Sequence, residues 1–207
     1  MALLEFSGVS KNNITDLSFT LTAGEIAIVR AATAVNQEEI IDLALGEAEP
    51  EQGNIRLHGQ PLTKSAPGHT GWIAAHGGLI NNLKIWENIT LPLWYHGQRE
   101  PANVEKTVTH WLQTLGIEPS QWTDFMANSP ARLSTEQRKV AGLLRGLVQA
   151  PSLLVIKAGL WLEVAQPVQD QWNTALEKFV YAEKNRAILV VAEGAISLPW
   201  KILKDAI

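Results

Sequence analysis

The sequence predicts an α/β fold: a parallel sheet covered by helices, with a helical insert in the middle of the chain. Two uninterrupted apolar runs, Leu153 to Ile156 and Ala187 to Ala192, are typical of buried parallel strands. Another apolar run, Ile26 to Val29, leads into a loop of small residues and then into an amphipathic stretch. Strands that alternate with helices in this order favour a parallel sheet between layers of helices.

Composition narrows the class of protein. The 207 residues suit one domain with a substantial core, and 46% apolar with 18% charged residues indicates a globular chain. The net charge of −4 gives no electrostatic footprint for nucleic acid, which is therefore not an expected partner. The absence of cysteine excludes disulfides and thiol chemistry. No apolar run reaches the roughly 18 residues of a spanning helix, and the start, MALLEFSGVS, lacks the basic region of a signal peptide.

The first third of the chain predicts short strands and one helix. Leu3 to Phe6 and Leu17 to Leu21 alternate like strands on either side of a polar turn. Ile26 to Arg30 is a strand, and a helix of about Gln37 to Leu45 follows and ends at Gly46. Two short strands complete this part, at Asn54 to Leu57 and at Gly71 to Ala75.

A helical pattern then runs to residue 149. Helices are predicted at Ile85 to Tyr95, with a break near Pro92, at Val104 to Leu115 and at Ser134 to Gln149. A long helix at Val168 to Ala182 separates the two buried strands, and Trp200 to Leu203 is a last strand. We therefore expect a single domain over 1–207, with its core at 1–82 and 150–207 and a helical subdomain at 83–149.

The segment from Gly24 to Ile41 has the strand–loop–helix frame of a phosphate-binding loop but lacks its chemistry. The pattern G-x-x-x-x-G-K-[ST] supplies bare backbone N–H groups and a lysine to phosphate. Here its Gly-Lys-Ser/Thr end reads Asn36, Gln37 and Glu38, and no lysine lies between Gly24 and Gly59. The frame predicts the fold, and the missing residues argue against phosphate binding.

Three motifs in order make the chain resemble the ATP-binding domain of ABC transporters over nearly its whole length. Gly24 to Gly53 aligns without a gap with that family's usual pattern. The stretch ARLSTEQRKVAGLLRGLVQAPSLLVI resembles the signature helix and the Walker B strand, and LINNLKIWENITLPL resembles the segment after the Q-loop. The resemblance implies a P-loop NTPase-like (RecA-like) core with that family's helical subdomain. The stretch GGLINNLKIWENITLPL also resembles the lipid-transport (Mla/Mce) branch.

The departures from the family pattern fall on the residues that carry its chemistry. The resemblance implies degenerate positions in the Walker A segment: Ala31, Ala34 and Asn36 replace its glycines, Gln37 its lysine and Glu38 its Mg²⁺-binding hydroxyl, with Glu39 beside it. In the other motifs, Ala75 replaces the Q-loop glutamine, and Ser134 and Glu136 lie in the signature. Lys157 replaces the Walker B aspartate, Ala158 the catalytic glutamate and Glu193 the switch histidine. The aromatic that stacks on adenine, expected near Asn12, is absent. Phosphoryl transfer depends on positioning and charge neutralisation, so we expect no catalytic residue, no metal and no cofactor.

The start of the first helix predicts an ordinary cap in place of a phosphate site. Asn36 is a good N-cap, and Glu39 lies three residues on, as in a capping box. Glu38 and Glu39 are predicted at the positive end of the helix dipole, where a phosphate would sit. A γ-phosphate about 4 Å from an unpaired carboxylate would be repelled by roughly 4 kcal/mol per unit charge.

Glu38 and Lys157 are expected to form an ion pair in place of the metal. In P-loop enzymes the Walker A hydroxyl and the Walker B aspartate hold Mg²⁺ together, so their positions converge. Here one position carries an anion and the other a cation. Glu193 is a second candidate acceptor, and the alternative is that Lys157 extends into solvent.

Other candidate sites are few. The histidines show no metal-ligand spacing; they are His58, His69, His76, His96 and His110. Trp86, Trp94 and Tyr95 lie in the segment that, in the family, is near the groove receiving the permease's coupling helix. They are the predicted partner-binding residues, with core packing of the helical subdomain as an equal alternative.

The expected function is that of a catalytically inactive ATP-binding-like subunit, an adaptor or regulator of a membrane transporter. Its partners would be a membrane permease and an intact ATPase subunit, at the inner face of the cell membrane. The alternative is an ATPase that still binds or hydrolyses ATP with unorthodox ligands. A third reading is a free-standing scaffold without a transporter.

Overall fold

The computed structural model describes residues 1–62, 69–95 and 101–205, which form strands, helices and the loops that connect them. The strands are β1 (Ala2–Lys11), β2 (Ile14–Thr22), β3 (Ile26–Ala31), β4 (Gln52–Leu57), β5 (Gln60–Pro61), β6 (Thr70–Ile73), β7 (Leu153–Lys157), β8 (Ala187–Glu193) and β9 (Lys201–Lys204). The α-helices are α1 (Ala34–Leu45), α2 (Ile85–Tyr95), α3 (Pro101–Thr114), α4 (Trp122–Ala127), α5 (Thr135–Gln149) and α6 (Gln166–Tyr181).

The parallel sheet has the strand order β6-β7-β8-β3-β9. Strand β8 pairs in parallel with β7 on one side and with β3 on the other, and β9 pairs in parallel with β3. The apolar runs Ile26 to Val29 and Leu153 to Ile156 therefore lie in one sheet, and the α/β fold prediction is confirmed. Strand β8 is buried from Ala187 to Ala192, as expected for a central strand covered on both faces.

A second, antiparallel sheet has the order β2-β1-β4-β5. Its strands alternate between buried and exposed residues because only one face meets the core. Phe6 and Phe19 stack across β1 and β2 with ring centroids 4.5 Å apart. The sequence predicted β1, β2 and β4 individually but not the two-residue β5, and it did not separate these strands from the parallel sheet.

The chain divides into two compact units. The first contains 1–72, 152–158 and 180–207, and the second contains 73–151 and 159–179. This division differs from the predicted one, since 73–82, 150–151 and 159–179 group with the helical residues. The core of the first unit is formed by apolar residues of both sheets together with Ile40, Ile41, Leu43 and Ala44 of α1.

The second unit is helical. Helix α5 packs against α2 and α3, and it buries an apolar face that includes Leu143, Leu144 and Leu147. Helix α2 continues through Pro92 to Tyr95, so the predicted break is not a helix end. Helix α4 was not predicted, because its six residues are too few to show a helical period.

Gly53 and Gly24 provide a matched test of close packing in the first unit. Both have positive φ, 80° and 89°, so alanine is strained at either position. A Cβ at Gly53 would lie 2.3 Å from the Gly8 carbonyl oxygen, whereas a Cβ at Gly24 would meet nothing within 4 Å. We expect Gly24→Ala to lower the free energy of unfolding by about 1–2 kcal/mol and Gly53→Ala to lower it further. Urea unfolding of both variants measures the difference, and equal losses would contradict the close approach of β1 and β4.

Candidate functional site

Three parallel strands bring predicted site residues to one edge of the sheet. Strand β3 ends at Ala31, β7 at Lys157 and β8 at Glu193, and Ala31 is in register with Glu193. The carboxyl edge of an open parallel sheet is where such folds bind ligands. Ala31 and Ala158 are buried there, and Glu193 is exposed.

Helix α1 begins earlier than the sequence predicted. Its N-cap is Thr33, in extended conformation (φ −136°, ψ 161°), and the Thr33 Oγ accepts a hydrogen bond from the Asn36 N–H at 3.1 Å. The prediction of Asn36 as N-cap was wrong, because Thr33, another favoured N-cap residue, comes first in the chain and caps the helix. Ala34 is the exposed first residue of the helix.

The earlier start also corrects the predicted electrostatics. With Ala34 as the first residue, Glu38 and Glu39 lie in the second turn, and the first turn carries no acidic residue. The helix dipole acts mainly within the first turn. Glu39 therefore does not form a capping box, and the two carboxylates do not occupy the end of the helix.

Gln37 points into the first unit rather than towards the edge of the sheet. Only 3% of Gln37 is exposed, and its Nε2 donates a hydrogen bond of 2.8 Å to the Val191 carbonyl of β8. Asn36 is buried beside it, and its Oδ1 accepts from the Thr33 hydroxyl at 3.0 Å. Gln37, the residue predicted at the position of the family's lysine, thus joins α1 to the parallel sheet.

Glu38 and Lys157 form the predicted ion pair. The Lys157 ammonium donates to Glu38 Oε1. The lysine side chain is 23% exposed and the glutamate side chain 55%. The bond therefore joins the second turn of α1 to the end of β7 at a half-exposed position, which is the predicted position of the Walker B aspartate.

Glu39 is held by Asn12, a contact that the sequence did not predict. Glu39 is 8% exposed and its Oε1 accepts a hydrogen bond from Asn12 Nδ2. Asn12 lies in the turn between β1 and β2 with φ 47°, a conformation that asparagine tolerates. The other Glu39 oxygen is buried without a hydrogen-bond partner among the described residues.

Three consecutive side chains of α1 are thus bonded to three different elements of the first unit. We call these bonds, Gln37–Val191, Glu38–Lys157 and Glu39–Asn12, the α1 anchor. The family resemblance implies a site for ATP and Mg²⁺, and the residues of the α1 anchor do not fit these ligands. Magnesium takes oxygen ligands, whereas Lys157 presents a cation, and the residue at the lysine position is turned away into the core.

The remaining predicted positions lie in the second unit. Ser134 is the N-cap of α5 and forms a capping box with Gln137, with bonds of 3.1 and 3.0 Å. Glu136 is exposed in the first turn. Ala75 lies against Gly159, where an added Cβ would come within 2.8 Å of the Ala75 Cβ.

Lys139 on α5 is a buried cation that the sequence analysis did not identify. It is 2% exposed, and its Nζ donates to the carbonyls of Leu162 at 2.5 Å and Gly159 at 3.4 Å. Burial lowers the pKa of Lys139, and the Glu163 and Glu136 carboxylates oppose that shift. The lysine attaches the segment after β7 to the signature helix, so its role is positional.

The predicted partner residues lie on α2. Trp94 is 54% exposed and Leu91 on the same helix is 40% exposed. Trp86 is half-buried and lines a groove of about 330 Å³ with Val108, Leu112, Trp122 and Met126. The side chain of Tyr95 lies outside the described residues.

Over 1–62, 69–95 and 101–205, no cluster of three or more His, Asp or Glu side chains could hold a metal ion, and His96 lies outside these ranges. Every helix in the same ranges is too short or too polar to cross a bilayer.

A parallel sheet with a loop and helix at its carboxyl edge, in a chain that also contains a helical unit with a signature-type helix, defines a P-loop NTPase-fold domain of the ABC type. The family model described as ABC transporter matches residues 14–156, and the chain therefore belongs to the ABC transporter family.

Relatives within this family carry names of transport ATP-binding proteins. The "Probable ribonucleotide transport ATP-binding protein mkl" of Mycobacterium leprae is 22% identical over 86% of this chain and 52% of its own length. The "Taurine import ATP-binding protein TauB" of Pelagibacter ubique is 25% identical over 90% of this chain and 67% of its own. This chain spans about half the length of the Mkl proteins that it matches.

Solved structures show the same fold. The ADP- and phosphate-bound dimer of the ATP-binding cassette MJ0796 superposes with a TM-score of 0.75 at 15% identity, over 93% of this chain and 88% of that one. A structure described as the ATP binding subunit of an ABC transporter gives 0.78 at 18% identity, over 93% and 80%. At these identities the likeness concerns the fold alone.

The Glu38–Lys157 bond can be tested by exchanging its charges. Glu38→Lys and Lys157→Glu each place like charges together, so each should lower the free energy of unfolding. The double variant restores an opposite pair and should recover most of the loss, with a coupling of about 0.2–1 kcal/mol for a half-exposed pair. Urea unfolding at low and high salt measures the cycle. Additive losses in the double variant would show that the two side chains do not interact.

Proposed function

We propose that this chain is a catalytically inactive ATP-binding-like subunit that acts as an adaptor or regulator of a membrane transporter. The observation that carries the proposal is the α1 anchor, which bonds the residues at the lysine and metal-ligand positions to protein groups. Membership of the ABC transporter family supports a role in transport. A catalytic carboxylate is lacking at the aligned position, where Ala158 is buried.

The partner that this proposal implies is a membrane permease, which would hold the chain at the inner face of the membrane. The names of the relatives support this class of partner. Mkl and TauB are named as ATP-binding proteins of transport or import, and the "Lipoprotein-releasing system ATP-binding protein LolD" of Psychrobacter arcticus as one of lipoprotein release. LolD is 26% identical over 71% of this chain and 66% of its own length. Membership of the lipid-transport branch stays a prediction.

An intact ATPase subunit is the second partner class. In the family each ATP lies between the Walker A loop of one chain and the signature of the other. Here Glu136, exposed at the start of α5, would present a carboxylate to the partner's ATP. Pairing in that arrangement should therefore impair both nucleotide sites.

Nucleotide binding separates this proposal from an ATPase with unorthodox ligands. We expect titration calorimetry of the full chain with Mg-ATP to show no saturable binding up to about millimolar concentration, because the α1 anchor occupies the ligand positions. Gln37→Lys should not restore binding, since Lys157 and Ala158 remain. LolD of Psychrobacter arcticus, titrated in the same buffer, is the positive control. Micromolar affinity of the unaltered chain for Mg-ATP would refute inactivity and favour the alternative.

The exposed face of α2 is the proposed permease contact. Trp94→Ala should weaken recovery of a permease from detergent-solubilised membranes by about tenfold or more, because buried aromatic anchors are frequent hot spots of interfaces. Folding should change little, since Trp94 is 54% exposed. Tyr181→Ala removes another aromatic, 75% exposed, outside α2 and is the matched control. Equal recovery with both variants would exclude Trp94 from the contact, and recovery of no permease with the unaltered chain would favour a free-standing scaffold.

A further inference from the structure

The groove that Trp86, Val108, Leu112, Trp122 and Met126 line, here called the α2–α3–α4 groove, lies within the second unit. Its volume of about 330 Å³ falls in the range of about 300–1,000 Å³ that small-molecule sites occupy. Val108 and Leu112 of α3 are each 2% exposed, and Met126 of α4 is half-buried. These side chains give the groove an apolar wall that suits the carbon skeleton of a small ligand.

The two tryptophans of the lining favour a cationic ligand. Trp86 of α2 and Trp122 of α4 are both half-buried, so part of each side chain is accessible to a ligand. The Trp122 indole N–H donates to the Ile117 carbonyl at 2.7 Å, so its polar edge is already paired within the chain. Trp122 therefore presents the carbon surface of its ring to a ligand. The face of an indole ring attracts cations, and several aromatic rings together recognise alkylated ammonium groups.

The charge of the groove points to the same class of ligand. Glu105 also lines it and is exposed on α3, three residues before Val108 and seven before Leu112. At this spacing the three side chains lie on one face of the helix, so a carboxylate stands at the end of an apolar stripe. Among the described residues that line the groove, Glu105 is the one with a formal charge, and the neighbouring Lys106 does not line it. The carboxylate attracts a cation and repels an anion.

We propose that the α2–α3–α4 groove binds a small organic cation of the alkylammonium class. The ammonium group pairs with the Glu105 carboxylate and contacts the indole rings, and the alkyl part covers Val108 and Leu112. Such a ligand uses the aromatic, apolar and acidic parts of the lining together, whereas a neutral apolar ligand leaves the carboxylate without a partner. The site does not include Trp94 or the α1 anchor, and it does not depend on whether the chain binds ATP.

The test is a titration of the full, ¹⁵N-labelled chain with choline at constant ionic strength. Trp86→Phe and Trp122→Phe identify the two indole N–H signals among those of the eight tryptophans. We expect both signals to shift saturably, with half-saturation at about 10 mM, because exposed cation–π contacts and exposed ion pairs are each weak. The neutral analogue tert-butylethanol, in which a carbon replaces the choline nitrogen, should shift them at least several-fold less at equal concentration.

Two variants with the same change of net charge test the carboxylate. Glu105→Gln removes the charge from the groove and should weaken choline binding by about twofold to fivefold, as expected for an exposed ion pair. Glu136→Gln is the matched control, because Glu136 is exposed on α5 and does not line the groove. It should leave the affinity for choline unchanged.

Variants that fill the groove test the location of the site. Thr109→Phe adds a ring at a half-buried wall position of α3 and should abolish the choline shift. Thr123→Phe fills the groove from an exposed position of α4, in case Thr109→Phe does not fold. The proposal would be overturned by the absence of a saturable shift at ten times the expected half-saturation, or by an equal shift with tert-butylethanol. Equal affinities of the two glutamine variants, or persistence of the shift in both filled variants, would overturn it as well.

Discussion

The α1 anchor is the interaction on which the chemistry of this chain depends. Three neighbouring side chains, Gln37, Glu38 and Glu39, are each bonded to a different element of the first unit. A nucleotide arriving at the carboxyl edge of the sheet would find Glu38 already paired and Gln37 turned into the core. Any phosphate or Mg²⁺ would have to replace bonds that the protein makes with itself.

The three bonds of the anchor differ in energetic weight. Gln37 is almost completely buried, so breaking its bond to Val191 would leave an unsatisfied polar group at a cost of about 1–3 kcal/mol. The Glu38–Lys157 pair is half-exposed and contributes less, because water screens it. The Glu39–Asn12 bond stabilises the chain less than a fully satisfied carboxylate would, since the other Glu39 oxygen is buried and has no hydrogen-bond partner among the described residues. The stability of α1 therefore rests mainly on its buried apolar face, which includes Ile40 and Leu43.

In the second unit, too, the hydrogen bonds that hold the helices are made within the chain. The capping box of Ser134 and Gln137 starts the signature helix, and Lys139 bonds the segment after β7 to that helix. Both depend on backbone groups of the chain itself and need no ligand. Glu136, predicted at a glycine position of the family signature, is exposed and takes no part in the capping box. The fold of this chain is thus held by hydrophobic burial and internal hydrogen bonds.

The sequence by itself determined the fold class and most elements, because buried strands and amphipathic helices have recognisable patterns of apolar residues. Its motifs also determined the family. Alignment of Glu38 and Lys157 with two positions that converge on one metal also predicted their ion pair. Only the tertiary structure decided the start of α1, where Thr33 and Asn36 are both favoured N-cap residues and Thr33 is the one that caps the helix. The Asn12–Glu39 contact and the direction of Gln37 were equally beyond sequence analysis. Each depends on a contact between residues that are far apart in the sequence, and no local sequence pattern predicts such a contact.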